Sequence, residues 1–268
     1  MSTTAPTSTA PTSTAPTSAA PEFAGRTALV TGGASGIGLA LSRRLAAGGA
    51  TVVVADHAEG KAREAAAELE SAGARAVAVA MDVTDPVSVE AGVRFAVDTF
   101  GALHLAVNNA GIAGPGNPTE AYGIEDWDRV LATNLSGVFY SMRCEIPAIV
   151  AAGGGAIVNM SSILGTNGFA GSPAYVAAKH GVVGLTKTAA LEYAAQNVRI
   201  NAVGPGFIDT PLLKNADPQA RAHLISLHPA GRLGTAEEVA ELTAFLLSDK
   251  ASFIHGSYHL VDGGYSAP

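Results

Sequence analysis

Short apolar runs alternate with longer amphipathic segments along the chain from residue 26 onward. The runs are rich in β-branched residues and several end in glycine, which is typical of buried strands. They predict seven strands, at residues 27–33, 51–56, 76–83, 103–111, 155–162, 198–206 and 258–264. Between them lie segments with helical periodicity. These predict helices at residues 38–50, 59–74, 86–100, 125–150, 174–194 and 236–249.

The alternation of strands and helices predicts the fold class. Strands that are apolar throughout are buried on both faces, and right-handed crossovers then give a mainly parallel sheet with helices on both faces. We therefore expect an α/β protein with one doubly wound domain over residues 23–268 and a seven-stranded sheet. Ligands of such sheets bind at the carboxyl ends of the strands. Residues 1–22 repeat Thr, Ser, Ala and Pro and are expected to form a disordered tail.

Composition narrows the classes of partner. The formal net charge of the 268-residue chain is −7, so we expect no nucleic acid or anionic membrane as partner. No apolar run reaches the roughly 20 residues of a membrane span, and the first residues lack a secretory signal pattern. The single cysteine, Cys144, forms no intrachain disulfide, which fits a reducing, cytoplasmic location. The histidines lack metal-ligand spacing, so no catalytic metal is expected.

A glycine-rich turn, "TGGASGIG", follows the first predicted strand. Gly32, Gly36 and Gly38 allow a tight turn and close approach of the backbone to a pyrophosphate. The helix that begins there offers unpaired N–H groups and the positive end of its dipole. Because the turn joins a strand to a helix, it predicts a dinucleotide site.

The residue at the end of the second predicted strand bears on which dinucleotide binds. Asp56 lies twenty residues beyond Gly36. A carboxylate there accepts hydrogen bonds from ribose hydroxyls and repels a 2′-phosphate. A 2′-phosphate would need Arg or Lys nearby, whereas Ser35 and His57 occupy the adjacent positions. The pattern favours NAD over NADP, and the alternative for Asp56 is a cap at the strand end.

The stretch "YVAAK" places Tyr175 and Lys179 four positions apart, on one face of a predicted helix. A phenol ordinarily titrates near pH ~10, and a nearby positive charge lowers its pKa. The two residues are either a tuned proton donor and acceptor or unrelated residues of a helix surface.

Taken together, the motifs resemble those of the short-chain dehydrogenase/reductase family. The resemblance covers residues 24–266. The glycine turn is similar to the family's cofactor turn, "NNAG" to its fourth-strand motif and "YVAAK" to its catalytic motif. "PGFIDT" and "VDGG" are similar to its late motifs. The resemblance implies a Rossmann-type fold and an oxidoreductase that transfers a hydride between NAD(H) and a secondary alcohol or ketone.

The resemblance also implies a catalytic set of four residues. Tyr175 would be the general acid and base, and Lys179 would lower its pKa and hold the nicotinamide ribose. Ser162, thirteen residues before Tyr175, would hydrogen-bond the substrate oxygen. Asn134, in "ATNLSG", would hold a water molecule that connects Lys179 to solvent. The alternative for Asn134 is an ordinary polar position in a helix.

The implied cofactor contacts extend over the strand ends. Asn108 and Ser161, beside two of the expected site residues, are interpreted as structural. The expected cofactor-binding residues are Gly32, Ser35, Gly36, Ile37, Gly38, Asp56, Asp82, Val83, Asn109, Ala110, Gly111, Tyr175, Lys179, Pro205, Gly206, Ile208 and Thr210.

The sequence says less about the residues that contact the substrate than about those that bind the cofactor. Ile163, Leu164 and Phe169 are candidates for the pocket wall. The segment between Thr210 and Gly231 is expected to form a mobile lid, and its candidate wall and charged residues are Leu212, Leu213, Leu224, Leu227, Lys214 and Arg221. The predicted substrate is a small or medium-sized alcohol or ketone with a partly apolar body.

Two further hypotheses remain open at this stage. One is an NADPH-dependent carbonyl reductase of the same fold, and the other is a dinucleotide-binding regulator without turnover. The family resemblance also implies a tetramer or a dimer assembled through long helices. The length and apolar content of residues 126–150 and 174–195 favour a homotetramer. His104 stands where the family often has Asp, and we expect a changed hydrogen-bond network there without loss of activity.

Overall fold

The computed structural model describes residues 21–211, 213 and 217–267. The strands among them are β1 (Thr27–Thr31), β2 (Thr51–Asp56), β3 (Ala76–Ala80), β4 (Leu105–Asn108), β5 (Gly155–Met160), β6 (Val198–Pro205) and β7 (Tyr258–Val261). The α-helices are α1 (Gly36–Ala47), α2 (Glu59–Ser71), α3 (Pro86–Phe100), α4 (Ile124–Leu131), α5 (Gly137–Ala151), α6 (Pro173–Tyr193), α7 (Pro218–Ser226) and α8 (Ala236–Leu247). No helix of this part of the chain is long and apolar enough to cross a membrane.

The strands form one sheet of seven in the order β3-β2-β1-β4-β5-β6-β7, and every neighbouring pair is parallel. The predicted doubly wound α/β fold is confirmed. The chain proceeds outward from β1 in one direction and then, from β4, in the other, so β1 and β4 flank the point where the strand order reverses. Ligands of open parallel sheets bind at this point, outside the carboxyl ends of the strands.

Helices cover both faces of the sheet, as the apolar strands predicted. One core layer packs α1, α2 and α8 against the sheet, and the other packs α3, α5 and α6 against its opposite face. The central strands are buried along their length; all five residues of β1 and all eight of β6 are buried. This packing fixes the strand ends that form the site.

The helix predicted over residues 125–150 is interrupted. A π-helical turn, Ala132–Ser136, separates α4 from α5. The wider turn includes Asn134, whose side chain hydrogen-bonds the backbone of Ile112. Single π-helical turns occur frequently at functional sites, and periodicity alone did not indicate this one.

The predicted lid contains a helix that the sequence analysis did not assign. Helix α7 begins with Pro218 at its first turn, a position that suits proline, and none of its residues is buried. A helix without a buried apolar face produces no clear periodic pattern. Leu212 and Lys214, which the analysis placed in the lid, lie outside the described residues.

The folded part begins slightly earlier than expected. Phe23 is 2% exposed and packs near Gly48, and Glu22 forms ion pairs with Arg44 and Lys250 at 2.8 Å each. Glu22, which the sequence assigned to the tail, therefore contacts the domain. Residues 1–20 of the predicted tail lie outside the described residues.

Candidate active site

The glycine turn lies where the sequence predicted it, between β1 and α1. Gly36 has a φ of +50°, a conformation that glycine adopts readily. A Cβ at Gly38 would lie 2.0 Å from the carbonyl oxygen of Gly32, so α1 packs against the turn without room for a side chain. Ser35, Gly36 and Ile37, at the start of α1, line a cavity, as a pyrophosphate site requires.

Hydrogen bonds from the residues that follow β4 hold the glycine turn in place. The Asn109 side chain donates hydrogen bonds to the carbonyl oxygens of Thr31 and Gly32, at 3.1 and 3.3 Å. The Thr31 hydroxyl accepts from the backbone N–H groups of Asn109 and Ala110, at 3.0 and 3.2 Å. These contacts fix β1 and β4 relative to each other at the point where the strand order reverses.

Asp56 ends β2 at the rim of the same cavity and is 7% exposed. Its carboxylate accepts from the N–H groups of Ala34, at 3.3 Å, and Ala58, at 3.0 Å. His57 Nδ1 lies 3.2 Å from Asp56 Oδ1. The carboxylate is thus fixed beside the glycine turn. Lys61, which the sequence analysis did not consider, also lines this cavity and brings a positive charge to it.

Asp82 and Val83 follow β3 at the far end of the cavity. Asp82 accepts from the backbone and hydroxyl of Thr84, at 2.9 and 2.7 Å, and these hydrogen bonds lower the pKa of the Asp82 carboxyl. Val83 is 8% exposed and presents an apolar surface beside it.

Two adjoining cavities collect most of the predicted residues. The larger, of about 580 Å³, is lined by Gly32, Ser35, Gly36, Ile37, Asp56, Asp82, Val83, Asn109, Ala110, Gly111 and Thr210 among others. The smaller, of about 330 Å³, is lined by Ser162, Tyr175, Lys179, Pro205, Gly206 and Ile208 among others. Both are lined by Ile37, Asn109, Gly111, Ile112 and Thr210. The shared lining residues join the two cavities into one site. Gly38 and Asn134, which the sequence analysis also predicted as site residues, line neither cavity.

Lys179 is 3% exposed, and its ammonium donates to the carbonyl oxygen of Met160 at 2.8 Å. Its Nζ lies 5.5 Å from the centre of the Tyr175 ring. Burial lowers the pKa of Lys179 to about 8. The predicted pairing of these residues on one face of a helix is therefore present in α6.

Tyr175 and Ser162 both line the smaller cavity. Burial raises the pKa of Tyr175, and the hydrogen bond to Ser162 partly offsets this effect. The direction is opposite to the one predicted from the neighbouring lysine, because desolvation of the phenolate is the largest contribution. A lower pKa requires positive charge beyond what the surroundings of the phenol in this chain provide.

Neighbouring serines have different environments. Ser162 is 8% exposed, lines the smaller cavity and accepts from the N–H of Leu164 at 3.2 Å. The Ser161 hydroxyl donates to the carbonyl oxygen of Lys179 at 3.0 Å and braces α6 against the end of β5. The geometry agrees with the structural interpretation of Ser161.

Asn134 is fully buried in the π-helical turn. Its side chain accepts from Ile112 N–H at 2.9 Å and donates to Ile112 carbonyl oxygen at 2.7 Å. A Cβ at Gly111 would lie 2.8 Å from Asn134 Oδ1 and 3.8 Å from Lys179 Nζ. Asn134 and Lys179 therefore flank the same short backbone segment.

The comparisons with known proteins agree with this geometry. The family model described as "Enoyl-(Acyl carrier protein) reductase" matches residues 32–266. Cyclohexanol dehydrogenase of Acinetobacter sp. (strain SE19) is 52% identical over 246 residues, which cover 92% of this chain and 97% of that protein. The chain belongs to the short-chain dehydrogenase/reductase family. It is an oxidoreductase, and the ligand class of its family is a nicotinamide dinucleotide.

Further relatives lie in the same family. Cis-4-hydroxycyclohexanecarboxylate dehydrogenase of Sinomonas cyclohexanicum is 50% identical over 245 residues, covering 91% of this chain and 98% of that protein. The crystal structure of levodione reductase superimposes with a TM-score of 0.88 at 40% identity, covering 91% of this chain and 99% of that chain.

One departure from the family pattern has a structural explanation. His104 Nδ1 accepts from the backbone N–H of Thr27 at 3.0 Å, at the edge of the sheet opposite the cavities. Burial lowers the pKa of His104, which favours the neutral form that this acceptor role needs. The geometry agrees with the expected structural role.

The smaller cavity is mostly apolar. Ile163, Leu164, Phe169 and Leu213 line the smaller cavity as expected, whereas Leu224 and Leu227 do not. Phe207, which the sequence analysis missed within "PGFIDT", also lines it and packs against Phe169 with ring centroids 5.8 Å apart. An aromatic residue inside a cofactor-side motif was the available signal.

Charge is nearly absent from this pocket. Among the described lining residues, only Lys179 carries a charge. Arg221 pairs with Asp209 at 2.8 Å in the lid segment and does not line the cavity. No group of three or more described His, Cys, Asp or Glu residues is arranged to hold a metal ion.

Proposed function

We propose that this chain is an NAD-dependent dehydrogenase that oxidises a small alicyclic secondary alcohol to the ketone and catalyses the reverse reaction. One observation supports this proposal most directly. Ser162, Tyr175 and Lys179 lie in the wall of an apolar cavity, and this cavity adjoins the larger one. Relatives named for cyclohexanol and for 4-hydroxycyclohexanecarboxylate support the substrate class.

The proposed roles follow from the geometry of the side chains. Ser162 and Tyr175 hold the substrate oxygen between their hydroxyls, and Tyr175 takes the hydroxyl proton during oxidation and returns it during reduction. The bound nicotinamide supplies the hydride acceptor and, when oxidised, a positive charge. Lys179 holds the nicotinamide ribose and keeps a positive charge beside the phenol. Asn134 holds a water molecule that connects Lys179 to solvent.

The preference for NAD rests on Asp56. Its carboxylate is fixed beside the glycine turn by two backbone N–H groups, where it accepts from ribose hydroxyls and repels a 2′-phosphate. Lys61 lines the same cavity and is the observation that favours the second candidate, an NADPH-dependent carbonyl reductase. We favour NAD because the Asp56 carboxylate is adjacent to the turn. Relatives named as dehydrogenases and reductases do not favour a regulator without turnover.

The remaining cofactor contacts are proposed for the same arrangement. Ser35 and Ile37 line the larger cavity along the turn, and Asp82 and Val83, which line the same cavity, would flank the adenine. Pro205, Gly206, Ile208 and Thr210 lie beside the smaller cavity, where they would fix the nicotinamide.

A direct assay tests both the reaction and its cofactor. Purified protein is given cyclohexanol with NAD⁺ or NADP⁺, and absorbance of the reduced nicotinamide is followed. We expect turnover with NAD⁺ at a kcat/KM at least about tenfold above that with NADP⁺. A preference for NADP⁺ would overturn the assignment of Asp56, and it would support the reductase.

The same assay sharpens the substrate class. Among the described residues that line the smaller cavity, Lys179 is the only cation. We therefore expect cyclohexanol to be used with a kcat/KM at least about tenfold above that of 4-hydroxycyclohexanecarboxylate. Equal use of both would show that a cation reaches the substrate.

We further propose a homotetramer in the cytoplasm. Phe139 on α5 and Leu191 on α6 are 47% and 86% exposed, which supports assembly through these helices. Light scattering tests the assembly, and fractionation of cells tests the location.

A further inference from the structure

A tyrosine on the edge strand reaches across the sheet to the backbone of Ser162. Tyr258 is the first residue of β7 and pairs in register with Ala202 of β6. Its hydroxyl donates a hydrogen bond to the carbonyl oxygen of Ser162. The sequence analysis gave Tyr258 no role, because the contact joins residues that are 96 positions apart.

The path of this side chain depends on a glycine in β6. A Cβ at Gly204 would lie 2.2 Å from the Tyr258 hydroxyl oxygen and 2.5 Å from ring atoms Cε2 and Cζ. The ring therefore lies directly over β6 at Gly204. Any larger residue at 204 would displace the phenol from Ser162.

The hydrogen bond from Tyr258 reaches Ser162, at the start of a segment that forms part of the wall of the smaller cavity. The Ser162 carbonyl oxygen also accepts from the N–H of Gly165 at 2.8 Å, so two donors fix it. Burial raises the pKa of Tyr258, which keeps its hydroxyl protonated as a donor.

We propose that Tyr258 is a positioning residue that holds the backbone of Ser162 so that the serine hydroxyl faces Tyr175 and the substrate oxygen. The inference rests on the proposed function, because it assigns Tyr258 an effect on the same reaction. Tyr258 does not line either cavity, so it acts through Ser162.

The test is the Tyr258→Phe variant, which removes the hydroxyl and keeps the ring over Gly204. We expect kcat with cyclohexanol and NAD⁺ to fall about three- to tenfold, as the loss of one hydrogen bond predicts. The NAD⁺ dissociation constant should change less than about twofold. Tyr193→Phe is the matched control, because Tyr193 ends α6 about 27 Å along the helix from Tyr175.

A double-mutant cycle separates positioning from general stability. In a Ser162→Ala background the serine hydroxyl is gone, so Tyr258→Phe should change kcat less than about twofold there. An equal fall in both backgrounds, or a kcat equal to that of Tyr193→Phe, would overturn the inference. Failure of the wild-type protein to turn over cyclohexanol and its analogues would count against the proposed function instead, which keeps the two failures distinct.

Discussion

Two groups of buried polar side chains lie near each other in this fold and differ in their access to a cavity. The cavity cluster consists of Ser162, Tyr175 and Lys179, which line the smaller cavity. The sheet cluster consists of Asn108, Glu145, Asn159 and Thr186 and lines neither of the two cavities of the site.

The members of the sheet cluster are joined by hydrogen bonds between their side chains. The Asn108 side chain donates to Glu145 Oε2 at 3.0 Å and to Asn159 Oδ1 at 2.9 Å. Asn159 donates to the hydroxyl of Thr186 at 2.9 Å. The network joins β4 and β5 to α5 and α6, which agrees with the structural interpretation of Asn108.

Each cluster contains an ionisable group whose pKa is displaced by burial. The pKa of Lys179 falls to about 8, and that of Glu145 rises to about 7. A displaced pKa therefore does not distinguish the two clusters. The two clusters differ in their access to a cavity of substrate size. This access separates a proposed catalytic group from a structural one.

The largest expected effect comes from the cavity cluster. Lys179→Met removes the charge beside Tyr175 and keeps a side chain of similar length. We expect kcat to fall by about 10³-fold or more, because Tyr175 loses the neighbouring charge that its role as general acid and base requires. Tm should not fall, because an apolar residue replaces a buried cation.

Steady-state kinetics and thermal unfolding check this pair of expectations. Lys187→Met on the exposed face of α6 is the matched control and should leave both quantities unchanged. Retained activity in Lys179→Met would place Lys179 with the sheet cluster as a structural residue.

The sheet cluster should respond in stability and not in turnover. The pKa of Glu145 rises from its ordinary 4.5 to about 7, mainly because of burial. Between these pH values the folded chain keeps a proton that the unfolded chain has lost, so the free energy of unfolding falls as pH rises. The full shift corresponds to about 3 kcal/mol.

Glu145→Gln should remove this part of the pH dependence, with kcat within about twofold of wild type. Urea unfolding across the same pH window measures the effect, and Glu90→Gln on the exposed face of α3 is the control. An unchanged pH slope in Glu145→Gln would show that the carboxyl is ionised throughout.

The smallest expected effect concerns Thr186. Its hydroxyl accepts from Asn159 and donates to the carbonyl oxygen of Val182 at 2.7 Å. Thr186→Val leaves the buried Asn159 N–H unpaired, so we expect a loss of about 1–2 kcal/mol in unfolding free energy. Activity should be unchanged.

Thr188→Val provides the matched comparison. Thr188 makes the same type of hydrogen bond, to Gly184 carbonyl oxygen at 3.2 Å, on the exposed face of α6. Equal destabilisation of the two variants would argue that the network around Asn159 adds no stability.

The sequence predicted the fold and most of the candidate site because their signals are local. Tyr175 and Lys179 are four positions apart on one helix, and Gly36, Gly38 and Asp56 follow strands that apolar runs identify. Parallel strand ends meet at one edge of the sheet, so these residues come together without further information.

Contacts between distant segments were not predictable in this way. Lys61 reaches the larger cavity from α2, and Tyr258 reaches Ser162 from β7. The π-helical turn at Asn134 also depends on a partner, Ile112, on another segment. Each arises from packing in three dimensions that periodicity does not encode. The raised pKa of Tyr175 has the same origin, because burial of the phenol is a tertiary effect.

The most direct test of the central claim is Tyr175→Phe, measured for NAD⁺ binding and for turnover of cyclohexanol. If Tyr175 moves the hydroxyl proton, the dissociation constant should stay within about threefold of wild type while kcat falls by about 10³-fold or more. A kcat within about tenfold of wild type, with NAD⁺ binding intact, would contradict the account.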